Sequence, residues 1–254
     1  MRNTIYSVAA FIALWAVPVV AQIKIAATLN WARRVELGPL VSGVVKEVLV
    51  RPGDQVEADQ LLLRLDPRPF QTEILQLKAQ LDRVLPELEE AKLELQRAEE
   101  LYARTVLSNH ELNIAKIGHA KLDSEYRRLK ARLEQARLNL EYSRLRAPFA
   151  GIILARHAEP GQAVVTRMQS PPLIVLADNR QMVARAVVPL DTLLLFQNQQ
   201  PVRVRVGNQA FEAAIRFLGL EPVSNHAAGY PLEAVFHAGD AVLRAGQPAI
   251  IESK

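Results

Sequence analysis

The sequence predicts an elongated, multidomain α+β protein, with a split β-sandwich interrupted by a long antiparallel helical hairpin and followed by a small C-terminal β-barrel. Three observations predict it. Apolar residues recur at steps of four and three through two successive segments between about Phe70 and Ser143, two stretches flanking those segments repeat one another, and short strand-like runs take over after Asp178.

The heptads come first because they are the longest pattern. Phe70, Ile74, Leu77, Leu81, Val84, Leu88, Ala91, Leu95, Ala98 and Tyr102 form one a/d seam. Leu112, Ala115, His119, Leu122, Tyr126, Leu129, Leu133, Ala136 and Leu140 form a second, with mostly Glu, Lys, Arg and Gln between them. The few residues around Leu107, Ser108 and Asn109 leave room only for an antiparallel reversal. An arm of roughly 35 residues rising 1.5 Å each reaches about 50 Å, farther than a compact domain of this size is wide, so it must project. Ser108 is placed to cap the returning helix, with Glu111 completing a capping box. Pro86 opposes the first helix, but with Ile74 at position a it falls at f, on the outward face, where it kinks the helix and leaves the seam whole. His119 reads as a polar register-setting residue on the seam.

Composition narrows the function. Half of the 254 residues are hydrophobic, as in an ordinary folded protein, and the net charge of +4 leaves no basic stripe for nucleic acid, since Pro67 to Ser143 carries 13 basic and 13 acidic residues. Zero cysteines exclude disulfides, thiolate metal sites and lipidation of an N-terminal cysteine. Arg2, an apolar run from Ile5 to Val17, and Val19-Val20-Ala21 before Gln22 read as a secretory signal peptide cleaved after Ala21 (residues 1–21), which directs the protein out of the cytoplasm. The rival, an uncleaved anchor, is short for a span of ~20 apolar residues.

The repeat lies at the base of the hairpin. Gly43-Val44-Val45, Pro52-Gly53-Asp54-Gln55-Val56 and Leu65-Asp66 are echoed by Gly151-Ile152-Ile153, Pro160-Gly161-Gln162-Ala163-Val164 and Leu176-Ala177-Asp178. Gly43 to Gly151 and Gly53 to Gly161 share one offset, 108 residues. Each copy alternates around a Pro-Gly turn as a β-hairpin with one face to bury, so the two must cover each other. Asp66-Pro67 and Arg146-Ala147-Pro148 mark where the arms leave and return.

On these residues, and on Leu61 to Asp66 and Arg146-Ala147-Pro148-Phe149-Ala150-Gly151, the chain resembles the membrane-fusion proteins, the periplasmic adaptors of tripartite efflux and secretion systems (HlyD-like, RND-type). The resemblance implies a lipoyl-like (biotinyl-lipoyl-like) domain at 38–66 and 147–178, split by a coiled-coil hairpin at 67–146. It implies a lead-in strand at 22–37 and a β-barrel at 179–254. Arg97, Leu101 and Ser108 match the family's Arg-x3-Leu-x6-Ser tip motif, which implies docking on the helical end of a TolC-type outer-membrane channel. Arg97 and Leu101, four apart, share a helix face, a multi-donor cation beside an apolar knob.

After Asp178, runs at Met182–Val188, Val202–Val206, Phe211–Leu218, Pro231–Phe236 and Pro248–Ile251, with a brief helix at Asp191–Phe196, predict the barrel. Arg203 and Arg205 read as the solvated face of a strand. The sequence up to Lys254 is expected to lack the family's membrane-proximal domain or keep only a remnant.

Catalytic motifs are absent: there is no phosphate loop, His-Glu-x-x-His or Gly-x-Ser-x-Gly. Histidines 110, 119, 157, 226 and 237 lack ligand spacing, and beyond the leader only Met168 and Met182 remain as soft ligands, so no metal site is expected. No lysine-bearing carrier triplet stands near Asp66 or Asp178, and no cofactor is expected.

The resemblance therefore implies a non-enzymatic adaptor, hexameric, between an inner-membrane transporter (RND first, ABC second) and the outer-membrane channel, exporting small molecules. An ABC-exporter or protein-secretion adaptor is the alternative within the family, and a coiled-coil scaffold without a transport role the alternative outside it.

Overall fold

The computed structural model describes residues 23–166, 171–223, 229–239 and 241–253. The proposed leader, Met168 and His226 lie outside these residues. The chain divides into two compact units, one formed by 1–30 with 182–254 and the other by 31–181.

In the second unit two helices stand on two sheets. α1 (Arg68–Ala103) runs unbroken through the exposed Pro86, and α2 (Asn109–Tyr142) returns beside it. Along both seams every predicted position is buried or half-buried except Tyr102, which is 43% exposed because the helices end there. The large seam residues Leu77, Val84, Leu129 and Leu133 form one core cluster with Ile74, Leu81 and Tyr126 packed on it.

The sheets are made of the repeat. Their strands are β2 (Arg34–Leu37), β3 (Gly43–Val48), β4 (Gln55–Val56), β5 (Leu61–Leu65), β6 (Arg144–Arg146), β7 (Gly151–Arg156), β8 (Ala163–Val164) and β9 (Ile174–Ala177). One sheet has the order β2-β9-β7-β4 and the other β6-β5-β3-β8, so each combines strands from before and after the hairpin. The pairing obeys the repeat bond for bond. Gly43 and Val44 pair with Val164 and Ala163, while Gly151 and Ile152 pair with Val56 and Gln55. Gly53 N–H donates to Ile153 O and Gly161 N–H to Val45 O, both at 2.8 Å. Even the irregularities match, with register shifts at Val45/Glu47 and at Ile153/Ala155. The two turns need glycine, since φ is +95° at Gly53 and +87° at Gly161. Val45, Val56, Leu63, Leu65, Ile153, Val164 and Leu176 fill the shared core.

The Arg146 to Gly151 segment shows what it is for. Arg146 donates to Asp59 O at 2.7 Å, Phe149 is buried with the Arg33 guanidinium 4.0 Å over its ring, and a Cβ on Gly151 would lie 2.1 Å from Ala177 O.

In the first unit β1 (Lys24–Trp31), β10 (Gln181–Val188), β11 (Pro201–Val206), β12 (Gln209–Leu218), β13 (Tyr230–His237) and β14 (Pro248–Ser253) close a barrel in the order β1-β10-β13-β12-β11-β14. The short helix α3 spans Leu190–Leu193, one residue earlier in its start and three in its end than the expected Asp191–Phe196.

Two boundaries differ from expectation. The stretch 22–37 is not a lead-in: β1 is the strand that closes the barrel, registered Lys24↔Glu252 through Thr28↔Pro248, and β2 joins the sheet of β9. Residues 144–146, expected in the hairpin, are β6 of the other sheet, because Ser143 ends α2, its Oγ donating to Leu140 O at 2.6 Å. Arg203 and Arg205 are paired rather than simply solvated. Arg205 bonds the buried Glu252, which Lys24 also approaches at 3.8 Å, and Arg203 lies 3.5 Å from Glu212. The bond from Arg205 holds the Glu252 carboxyl below its ordinary pKa against the opposing effect of burial.

Candidate docking tip

The turn between the helices is built by its backbone. Thr105 N–H donates to Tyr102 O at 2.9 Å and Val106 N–H to Leu101 O at 3.0 Å, the paired bonds of a Schellman motif. That motif needs a left-handed residue, and Thr105 supplies it at φ 63°, an unfavourable conformation for a β-branched side chain. Three residues on, Ser108 caps α2. Its Oγ accepts from Glu111 N–H at 3.3 Å and donates to Glu111 Oε2 at 2.7 Å, and its own N–H donates to the same oxygen at 3.0 Å. These bonds lower the Glu111 pKa, the side-chain bond from Ser108 foremost.

Beside the turn the helices do not close. A groove of about 510 Å³ runs between them, lined by the small residues Ala91, Ala98, Ala115 and Gly118, with Arg97 and Leu101 on the α1 side and Glu111, Ile114 and His119 on the α2 side. The sequence-predicted residues thus divide in role. Arg97 and Leu101 share the groove wall; Arg97 is largely exposed, with Glu90 3.5 Å away, and Leu101 is 40% exposed. Ser108 meets the groove only through Glu111, and its hydroxyl is committed to the cap.

Sequence reasoning missed the apolar residues around this wall. Val106 is 71% exposed, Ile117 68% and Ile114 57%. All three sit off the heptad seam, and an isoleucine at an outward position of an otherwise charged helix was the signal available. With Leu101 and Tyr102 they make the tip apolar on a hairpin whose flanks carry charge-paired residues such as Arg83–Glu87 and Arg127–Asp123. Such a surface combines exposed apolar side chains with the charged Arg97 and Glu111. It can bind another apolar helical surface, with Arg97 and Glu111 for orientation.

Comparison with known proteins gives the same architecture a context. Residues 33–176 match the family described as RND MFP, barrel-sandwich hybrid domain. The macrolide export protein MacA of Escherichia coli O157:H7 is 30% identical over 176 residues, covering 63% of this chain and 47% of that protein. The chain spans about half the length of the curated relatives it matches. Among solved structures, a MacA–MexA chimera containing the Pseudomonas aeruginosa MexA α-hairpin superimposes with a TM-score of 0.68 over 92% of this chain and 81% of that one, at 22% identity. The membrane fusion protein Spr0693 of Streptococcus pneumoniae R6 does so with 0.74 over 91% of this chain and 98% of that one, at 14% identity.

Proposed function

The chain belongs to the family of RND membrane-fusion proteins, and from that membership we propose that it is a periplasmic adaptor linking an inner-membrane transporter to a TolC-type outer-membrane channel for small-molecule export. The observation that carries the reading is the tip: exposed apolar side chains and an open inter-helical groove at the end of a hairpin about 50 Å long. An adaptor needs reach and a surface at the end of it that another helical assembly can enter. The protein acts without catalysis, the transporter supplying the energy.

In this reading Arg97 and Leu101 contact the channel, and Ser108 holds the turn in shape for them. The two-sheet unit is lipoyl-like, its pseudo-twofold pairing making a rigid seat for the hairpin, and six copies form a ring. An RND pump is the first partner, in keeping with the family matched. A leader cleaved after Ala21 delivers the protein to the periplasm.

The test places a photocrosslinking residue at Leu101 in living cells and identifies what co-purifies in detergent. Adaptor function predicts an outer-membrane channel crosslinked at the tip together with one inner-membrane transporter. An ATPase as that transporter would change the pump class to ABC. Well-expressed periplasmic protein that captures neither would sink the adaptor reading and leave a coiled-coil scaffold.

A further inference from the structure

The hairpin carries a second pattern on its outer faces. With Ile74 at position a, the b and f positions of α1 face away from the seam, and there Leu75, Pro86 and Leu93 are interspersed with Asp82, Glu89 and Glu100. On α2, with Leu112 at a, the outward c and f positions carry Ile117, Leu138 and Tyr142 with Lys121 and Arg128. All of these side chains are exposed. Every Asp, Glu, Lys or Arg on the α1 stripe is acidic, and every one on the α2 stripe is basic.

A solitary pair of helices has no use for leucine at positions that face water. The charges show what covers them. α1 as a whole carries eight acidic and five basic residues, and α2 seven basic and five acidic. Ion pairs along the hairpin, Arg83–Glu87 and Arg128–Glu125 among them, lie within single helices, and Asp82, Glu89 and Lys121 stand in no ion pair among the described residues. Two α1 faces brought together would set carboxylates against carboxylates, and two α2 faces cations against cations. α1 of one copy beside α2 of the next pairs opposite charges instead. Geometry agrees. The b and c positions flank f on opposite sides, so the two stripes point in opposite directions across the hairpin, as the two sides of a head-to-tail contact must. Leu75 lies 28 residues before the end of α1 and Leu138 29 after the start of α2, so hairpins standing side by side at one height bring the two level. By the same count Glu89 comes level with Ser124, between Lys121 and Arg128.

We propose that these stripes are the lateral interface between copies of this chain, α1 of one hairpin packing along α2 of its neighbour, with Leu75 on Leu138 and Glu89 between Lys121 and Arg128. The contact is heterologous, so each copy uses both faces, one for each neighbour. The inference rests on the ring of copies proposed above and names the surface that builds it.

The absence of cysteine makes the test direct. Leu75→Cys and Leu138→Cys, at positions 64% and 41% exposed on opposite outer faces of one hairpin, are introduced together into the full chain. The protein is purified in detergent, oxidised and run on a denaturing gel. The interface predicts a ladder of disulfide-linked multimers, with no more than background dimer from either single variant. Adding Glu89→Lys should weaken the ladder about fivefold or more, and adding Lys121→Glu to that variant should restore it, since the two side chains lie on opposite sides of one hairpin and meet only between copies. Abundant dimer from Leu75→Cys alone would overturn the proposal in favour of a two-fold contact. So would the absence of a ladder, and native mass spectrometry of the parent then separates two failures. A parent that still forms a ring would keep the ring and exclude these faces as its contact, whereas a monomeric parent would remove the ring as well.

Discussion

The two halves of the hairpin follow one heptad pattern and reach different structures. Near the base Leu77, Val84, Leu129 and Leu133 meet across the seam and close it, while toward the tip the seam carries the small Ala91, Ala98 and Ala115 and a groove of about 510 Å³ opens beside them. Periodicity sets which residues face each other, and side-chain volume sets whether the space between them is filled. The base is therefore a strut and the tip a surface.

The largest expected effect breaks the strut. Leu129→Ala removes a side chain that is 1% exposed and should lower hairpin stability by about 2–5 kcal/mol, read as the loss of helical signal in a denaturant melt. Leu101→Ala, at the half-open tip, should move the same melt far less while weakening capture of the proposed channel by a photocrosslinker placed at Val106 instead. Equal stability losses would show that the tip is a packed core like the base.

Next comes the turn. Ser108→Ala removes the capping box and should cost about 1 kcal/mol, detected as faster amide exchange over the first turn of α2 with the base unchanged. Smaller and of opposite sign is Gly118→Ala. An added Cβ meets nothing within 4 Å, so replacing a helical glycine should stabilise the hairpin by roughly 0.5–1 kcal/mol. A loss instead would mean that the groove must stay open to its full width at that point.

At the base, Asp66 provides a contrast set by pH. Its carboxylate accepts from the Arg68 guanidinium at 2.5–3.0 Å and from Arg68 N–H at 3.1 Å, and these bonds lower its pKa to about 2 from 3.8. A depressed pKa in the folded state contributes stability that is present above the unfolded value and lost as pH falls from about 3.8 to about 2. Asp66→Asn should therefore be less stable than the parent at neutral pH, with the difference closing across that window in acid melts. A difference constant with pH would place the effect in packing rather than in charge.

Much of this was legible in the residues. Heptad spacing located both helices, Ser108 and Glu111 marked the cap, and an offset of 108 residues disclosed a repeat whose copies pair bond for bond. Arg97 and Leu101 were visible as a pair on one helix face, but the groove they flank was not, because alanines on a seam look apolar in a pattern and leave space only in three dimensions. Val106, Ile114 and Ile117 broke the heptad and so escaped a reading organised around it.

By itself the sequence determined everything carried by local spacing: the helices, their reversal, the capped turn and the repeat. Tertiary structure alone decided the partners of distant strands. β1 shows the clean alternation of Ile25, Ala27 and Leu29 inward, yet nothing near it states that it closes a barrel against β14, more than 200 residues later. Alternation specifies that one strand face must be buried; the choice of what buries it belongs to the whole chain, because a strand's hydrogen bonds, unlike a helix's, are made to residues of any sequence distance.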